Sequence, residues 1–366
     1  MHVGLLTAEL DGGHGWARYG AEVAAALRAQ GVTLTLLCPT NTKALAFPDA
    51  LRLLPPLNPP PRGLLARQLA VLPTLCRAAA GCDVIHNTVE LYAPAAWLLA
   101  GSRPLIHTLH GTYANLPRMR RWPMGALYRR AFAAGRAVCV SRFTASVAQS
   151  VIPELRVHVI PNAVDAARFA VSGPPLCERP PLVLAAGGVK ARKGTLELVQ
   201  AFAVVRQTVP NARLVIVGRA PMDSYGRAVR AAVHALGLTD AVTLTGFVDE
   251  DELRRWYGQA RVFALPSIRC GDHFEGFGLV QLEASAAGLP VVTTTGSGAA
   301  EAVEDGVTGF VVNAAELETA LPQAILRLLT DAALAQRMGS AGILKAQRTT
   351  WAHVARELLQ VYELPR

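Results

Sequence analysis

The sequence has no apolar run approaching the ~18 residues of a spanning helix. Charge is also scarce, at 17% of 366 residues, while 51% are hydrophobic, which excludes a disordered chain. The six cysteines (Cys38, Cys76, Cys82, Cys139, Cys177, Cys270) include no Cys-x-x-Cys pair, so zinc-finger and redox spacings are absent. They read as small buried hydrophobes in a reducing compartment. The expected metal content is none. The opening MHVGLLTAEL lacks a basic leader and soon meets Glu9 and Asp11, so it reads as a first strand and not a signal peptide. A cytoplasmic location is the expectation. Acidic residues are thin in the first half: residues 1–175 hold 17 Lys+Arg against 8 Asp+Glu, whereas residues 176–366 hold 19 of each. The whole net charge of +9 therefore lies in the first half, which favours an anionic surface or substrate. No recognition module accompanies it, which argues against nucleic acid.

What is present alternates. Strand-like runs fall at 2–7, 33–38, 83–88, 104–109, 137–140 and 157–160, then at 182–186, 213–218, 242–246, 262–266, 290–295 and 309–312. Amphipathic stretches such as Trp16–Gln30, Arg62–Ala80 and Met124–Ala134 lie between them. Strict alternation predicts an α/β chain with doubly wound parallel sheets. The Pro/Gly-punctuated stretch Ser172–Pro175 and Arg179–Pro181 reads as a linker. We expect a first domain over 1–170, a second over 171–349, and an interdomain cleft where the strands' carboxyl ends face each other. The proline-rich LPPLNPPPRG (54–63) reads as an irregular interruption of the first domain.

The most specific segment is HFEGFGLVQLEASAAGLPVV (273–292). Glu275 precedes Gly276-Phe277-Gly278, and a helix is predicted to begin near Leu279. Free N–H groups at a helix start attract phosphate, and glycine permits close backbone approach. Glu283, eight residues after Glu275, lies about a turn inside that helix, where a carboxylate suits the vicinal hydroxyls of a ribose. The bland alternative makes Glu275 a helix cap and Glu283 solvated surface. In the first half, Gly13 and Gly15 of DGGHGWARYG (11–20) offer a second place for close ligand approach. A dinucleotide fingerprint fails there, because Arg18 occupies its last small-residue position and Cys38-Pro39 ends the second strand without an acid. His110 ends a strand in TLHGTY (108–113), while His86 and His107 sit within strand patterns and read as packing residues.

The 273–292 segment resembles the signature of the family 4 glycosyltransferases, retaining enzymes of the two-Rossmann GT-B architecture. PNAVDAARF (161–169), with Ala163 where the family has Gly, GFVDEDELRRWYGQARVFALPS (246–267) and EAVEDGVTGFVV (301–312) extend the resemblance over nearly the whole chain. It implies a phosphate clamp in AAGGVKARKG (185–194), with Lys193 before Gly194. The family's Arg, five residues earlier, is Gly188 here, leaving Lys190, Arg192 or Arg219 as the second cation. It further implies that His110 lies near the transferred sugar or acceptor, and that the C-terminal helix (350–366) crosses back onto the first domain.

The expected activity is retaining, metal-independent transfer of a sugar from a nucleotide-diphosphate sugar to a glycan, lipid-linked or small-molecule acceptor, without a separate cofactor. The donor would be held by Lys193, Arg192, Glu283, the Phe277–Gly278–Leu279 backbone and the Gly13–Gly15 loop. Glu275 and His110 would serve the reaction, by a covalent or a same-face route. A sugar-nucleotide epimerase and a non-catalytic membrane-associated relative are the alternatives. The basic excess peaks in LPRMRRWPMGALYRR (116–130), where Arg118, Arg120 and Arg121 adjoin Trp122, with Met119, Met124 and Tyr128 interleaved. Cations beside insertable apolar groups, with Arg62 and Arg67 adding to them, suit the anionic inner face of a membrane.

Overall fold

The computed structural model describes residues 1–11, 13–43, 46–57 and 60–364. The chain forms two compact units: Met1–Asn162 with Trp351–Arg366, and Ala163–Thr350. Each is built on a wholly parallel sheet.

In unit 1 the strands are β1 (His2–Leu6), β2 (Thr33–Pro39), β3 (Leu51–Leu54), β4 (Val84–Asn87), β5 (Leu105–Leu109), β6 (Arg136–Cys139) and β7 (Arg156–Val159). Their order is β3-β2-β1-β4-β5-β6-β7. Unit 2 contains β8 (Leu182–Ala186), β9 (Arg213–Val217), β10 (Val242–Gly246), β11 (Val262–Ala264), β12 (Val291–Thr294) and β13 (Gly309–Val312), ordered β10-β9-β8-β11-β12-β13. In both sheets the winding reverses beside the first strand, between β1 and β4 and between β8 and β11. Loops diverge at such a point and leave a crevice at the carboxyl ends of the strands. Central strands are buried throughout because helices cover both faces; β8 and β5, for example, are buried at every position.

The strand-like runs all form strands. β3 is an addition: four residues at the sheet edge without a β-branched side chain, running into Pro55 and Pro56. The irregular 54–63 segment begins on its last residue and includes residues 58 and 59, which lie outside the described set. The boundary between units falls at Asn162/Ala163, before the expected 170/171. The physical reason is local packing within unit 2. The Val164 N–H donates to the Thr349 carbonyl at 3.2 Å, and the buried Phe169 ring meets Tyr257 edge-on at 6.2 Å.

The helix Trp351–Glu363 completes unit 1. It buries Trp351, Val354, Ala355, Leu358, Val361 and Tyr362, and lies against the helix Gly15–Ala29. Tyr362 reaches His86 Nδ1 at 2.7 Å, and His86 Nε2 meets Thr108 Oγ1 at 2.8 Å. On the same strand pair Asn87 Nδ2 donates to His107 Nδ1 at 3.1 Å, and His107 Nε2 donates to the Ala131 carbonyl at 3.0 Å. Burial holds both imidazoles neutral, His86 down to about 3 and His107 to about 4. They are packing residues, with every ring nitrogen engaged.

Candidate active site

In unit 2 the carboxyl ends of β8 and β11 carry two loops that are sewn together. Gly194 has φ +62, and a Cβ there would stand 2.0 Å from the Pro266 carbonyl oxygen, so only glycine fits. The Ile268 N–H donates to the Arg192 carbonyl at 3.0 Å. This close approach sets the Arg192–Lys193 turn beside the loop that bears Glu275. The Glu275 carboxylate stands 3.3 Å from Lys193 Nζ and 3.4 Å from Arg192 Nε. Burial alone raises its pKa, but Lys193 first and Arg192 next outweigh that and hold it below the usual carboxylate range.

Lys190 belongs to the same cluster. Its pKa is lowered by partial desolvation of the ammonium and then by Arg192, Lys193 and Arg219, while Glu275 acts the other way. Lys193, Arg192 and Lys190 thus act on one carboxylate, with Arg219 near Lys190, an arrangement suited to an anion of more than one charge. At the family's Arg position, Gly188 has φ +81, and a Cβ would stand 2.8 Å from the Arg219 carbonyl oxygen. The backbone of Arg219 occupies the space that a side chain at 188 needs.

Helix Leu279–Ala286 starts at Gly278, so the Leu279 and Val280 N–H groups have no capping side chain, while the Gln281 N–H donates to the Gly278 carbonyl at 3.0 Å. Glu275 is not the cap. A Cβ on Gly278 would meet Gln281 Oε1 at 2.1 Å, which keeps this start bare. Phe277 is buried at 6% exposure. Glu283 is not solvated surface either: it is 2% exposed and its Oε2 accepts from the Tyr257 hydroxyl at 3.1 Å.

In unit 1, the loops at the carboxyl ends of β4 and β5 bring together Glu90 and His110, and the loop after β1 carries Glu9. His110 Nε2 lies 2.9 Å from the Thr88 carbonyl and so carries the proton, which leaves Nδ1 as the acceptor. Burial lowers its pKa to about 4, against a smaller upward effect of the Thr88 bond. Tyr19 meets the ring edge-on at 4.5 Å. The helix Gly15–Ala29 begins at Gly15, with His14 as its cap; His14 Nε2 donates to Glu9 Oε2 at 3.0 Å. Gly13 and Gly15 both lack positive φ, so neither is required by its backbone conformation. The Gly13 N–H donates to Asp11 Oδ1 at 3.0 Å, whereas a Cβ on Gly15 would meet nothing within 4 Å.

Sequence reasoning missed Glu90 and the Glu9–His14 pair. Glu90 stands three residues past the fully buried β4, where no local pattern singles it out. Its carboxyl is fully buried and accepts the His110 N–H at 2.6 Å. Desolvation raises its pKa to about 7, with the His110 N–H and the Trp16 side chain acting in the opposite sense.

The basic segment lies on the surface of unit 1. Arg118, Arg120 and Arg121 are exposed, and Trp122 is 85% exposed. Helix Met124–Ala133 turns Tyr128 and Phe132 into the core, and Met124 packs against it, so these are not insertable groups. Arg129 pairs with Glu154 at 3.2 Å, and Arg130 lies over the Trp97 ring at 5.5 Å. An open cavity of about 340 Å³ is lined by Arg118, Arg129, Ser150 and apolar neighbours. Among the described residues, no helix is long and apolar enough to cross a membrane.

Comparison with known proteins matches residues 13–168 to Glycosyltransferase Family 4 and residues 180–331 to Glycosyl transferases group 1. A GDP-mannose-dependent alpha-(1-6)-phosphatidylinositol monomannoside mannosyltransferase of Mycobacterium tuberculosis is 35% identical over 267 residues, covering 69% of this chain and 67% of that protein. Sucrose-phosphate synthase from Thermosynechococcus elongatus superposes with a TM-score of 0.77 at 22% identity, over 99% of this chain and 98% of its own. Anabaena HepE in complex with UDP gives 0.76 at 19% identity, over 98% and 99%. These likenesses show a shared GT-B fold.

Proposed function

The chain belongs to glycosyltransferase family 4, and from that premise we propose that it transfers a sugar with retention and without a metal ion. It is a glycosyltransferase of GT-B type that uses nucleotide-sugar donors. The observation that carries the finer reading is the cation cluster of Lys190, Arg192 and Lys193 around Glu275. Negative charge builds on the leaving diphosphate as the glycosidic bond breaks, and fixed cations there lower the barrier without reorganising. Lys193 and Arg192 are assigned to the diphosphate, together with the N–H groups at the start of helix Leu279–Ala286. Glu283 is assigned to the ribose, and Glu275 to the positive charge that develops on the sugar. His110, a neutral imidazole with a free acceptor nitrogen, is assigned to the transferred sugar or the acceptor.

Donor candidates are GDP-mannose, named for the mycobacterial relative, and a uridine nucleotide sugar, in line with UDP in HepE. Turnover of each is measured with and without excess EDTA. Survival in EDTA is the expected result; abolition with rescue by magnesium or manganese overturns metal independence.

A peripheral association with an anionic membrane face is the accompanying proposal. It is supported by exposed Arg118, Arg120, Arg121 and Trp122 and by the absence of any Asp or Glu between Glu90 and Glu154. The protein is expected to co-sediment with phosphatidylserine vesicles at low salt and to release as ionic strength rises. Replacing the three arginines by Ser weakens this binding. Equal binding to neutral vesicles overturns it.

A further inference from the structure

The β4–β5 ladder ends at the Asn87/His107 pair, three residues short of His110. Beyond it the His110 N–H has no strand partner on that side, and the Glu90 carboxyl takes the place of the ladder at 2.6 Å. The same turn supplies the Thr88 carbonyl to the ring Nε2–H. Main chain and ring of one histidine are therefore both fixed by three consecutive residues, Thr88–Glu90, while Tyr19 closes on the ring. Gly111, at φ +136, turns the chain sharply away immediately afterwards. The Glu90 contact restrains the main chain at His110 itself.

A strand-end N–H does not need such a partner. Water or a neutral side chain satisfies it at less cost than a fully buried carboxyl, whose charge is opposed by desolvation even with the His110 N–H and the Trp16 side chain beside it. Buried polar groups that are dear to keep and sit beside reactive ones are characteristic of functional sites.

We propose that Glu90 is a positioning residue for the transfer reaction, holding the His110 imidazole in one place and one tautomer through the His110 main-chain N–H. This rests on the assignment of His110 to the reaction. Glu90 needs only its acceptor oxygen for the task, so Glu90→Gln keeps the function and Glu90→Met removes it. A misplacement of order 1 Å costs turnover about 100-fold.

The test uses the full-length protein labelled with [15N]histidine, and follows nucleoside diphosphate release from GDP-mannose or UDP-glucose, whichever is turned over. In the unaltered protein and in Glu90→Gln, His110 shows a protonated Nε2 and a bare Nδ1, and turnover differs by less than threefold. In Glu90→Met, the His110 ring signals shift or average while those of His86 and His107 stay fixed, which reports an intact sheet. Turnover falls at least tenfold, with affinity for GDP or UDP changed less than twofold.

Unchanged His110 signals and full turnover in a folded Glu90→Met overturn the proposal. So does loss of turnover in Glu90→Gln with His110 unmoved, which would show that the charge itself is used; this arm stands even where Glu90→Met does not fold. His110→Ala separates the two levels: full turnover there overturns the assignment of His110, not the contact by which Glu90 holds it.

Discussion

Glu275 and Glu283 are eight residues apart and face different chemistry. Glu275 lies among cations, and Glu283 is buried with Tyr257. Ribose hydroxyls change little between ground and transition state, so Glu283→Gln is expected to weaken nucleoside diphosphate binding by roughly 10- to 150-fold, the equivalent of a lost charged hydrogen bond at about 1.5–3 kcal/mol. Glu275→Gln is expected to lower turnover strongly while leaving that affinity intact or tighter, because Lys193 and Arg192 lose a competing anion. Calorimetric titration with GDP and UDP, paired with kinetics, reads both; the opposite pattern reverses the assignment. Glu275 and Glu283 stand out in the sequence because glycines and a helix start flank them at fixed spacing, and Lys193 through the resemblance to the family's Lys before Gly. Glu90 does not, since what distinguishes it is complete burial against a residue twenty positions away, and no local pattern encodes that.

Among the elements, the helix Gly15–Ala29 carries the sharpest test of the unit 1 loop. Alanine at Gly15 meets open space and favours helix by up to ~1 kcal/mol, so the folded state gains nothing from glycine there. Gly15→Ala is expected to melt at the same temperature or slightly higher, with turnover reduced where ligand must approach the backbone. Full activity in this variant would remove the loop from the site. Gly188 makes the opposite case: its left-handed backbone and the adjacent Arg219 carbonyl explain a departure from the family pattern that the sequence presents only as a missing cation. Twelve strands showed in the sequence as apolar runs. β3 escaped because LRLL at a sheet edge, with two of four positions exposed, carries neither alternation nor a continuous apolar block.

For the molecule as a whole, the buried titratable groups of unit 1 set its response to acid. His86 and His107 have folded pKa values of about 3 and 4, below their ordinary range, so the stability they confer is full above pH 6.5 and is lost as pH falls. Glu90, raised to about 7, works oppositely: its share is present below about pH 4.5 and is lost as pH rises to 7. Two imidazoles against one carboxyl leave a net uptake of one proton on unfolding between these limits. These three groups cost unit 1 about 1.4 kcal/mol per pH unit over that window, and His110, depressed to about 4, adds about as much again. Hydrogen exchange of β4 and β5 amides at pH 5 and pH 7 measures this. Glu90→Gln should steepen it, and a flat profile would contradict the burial of these groups.

The helix Trp351–Glu363 has a consequence for biosynthesis. A chain leaves the ribosome amino end first, and its domains fold as units. Unit 2 is complete at Thr350, whereas unit 1, begun at Met1, still lacks the segment that covers its Gly15–Ala29 helix and supplies Tyr362 to His86. The half that is translated first is therefore the half that matures last. Until Tyr362 emerges, the nascent protein carries one finished unit and one with an apolar flank open to other chains. Translational stalling within the final helix would leave that flank uncovered for as long as the stall lasts.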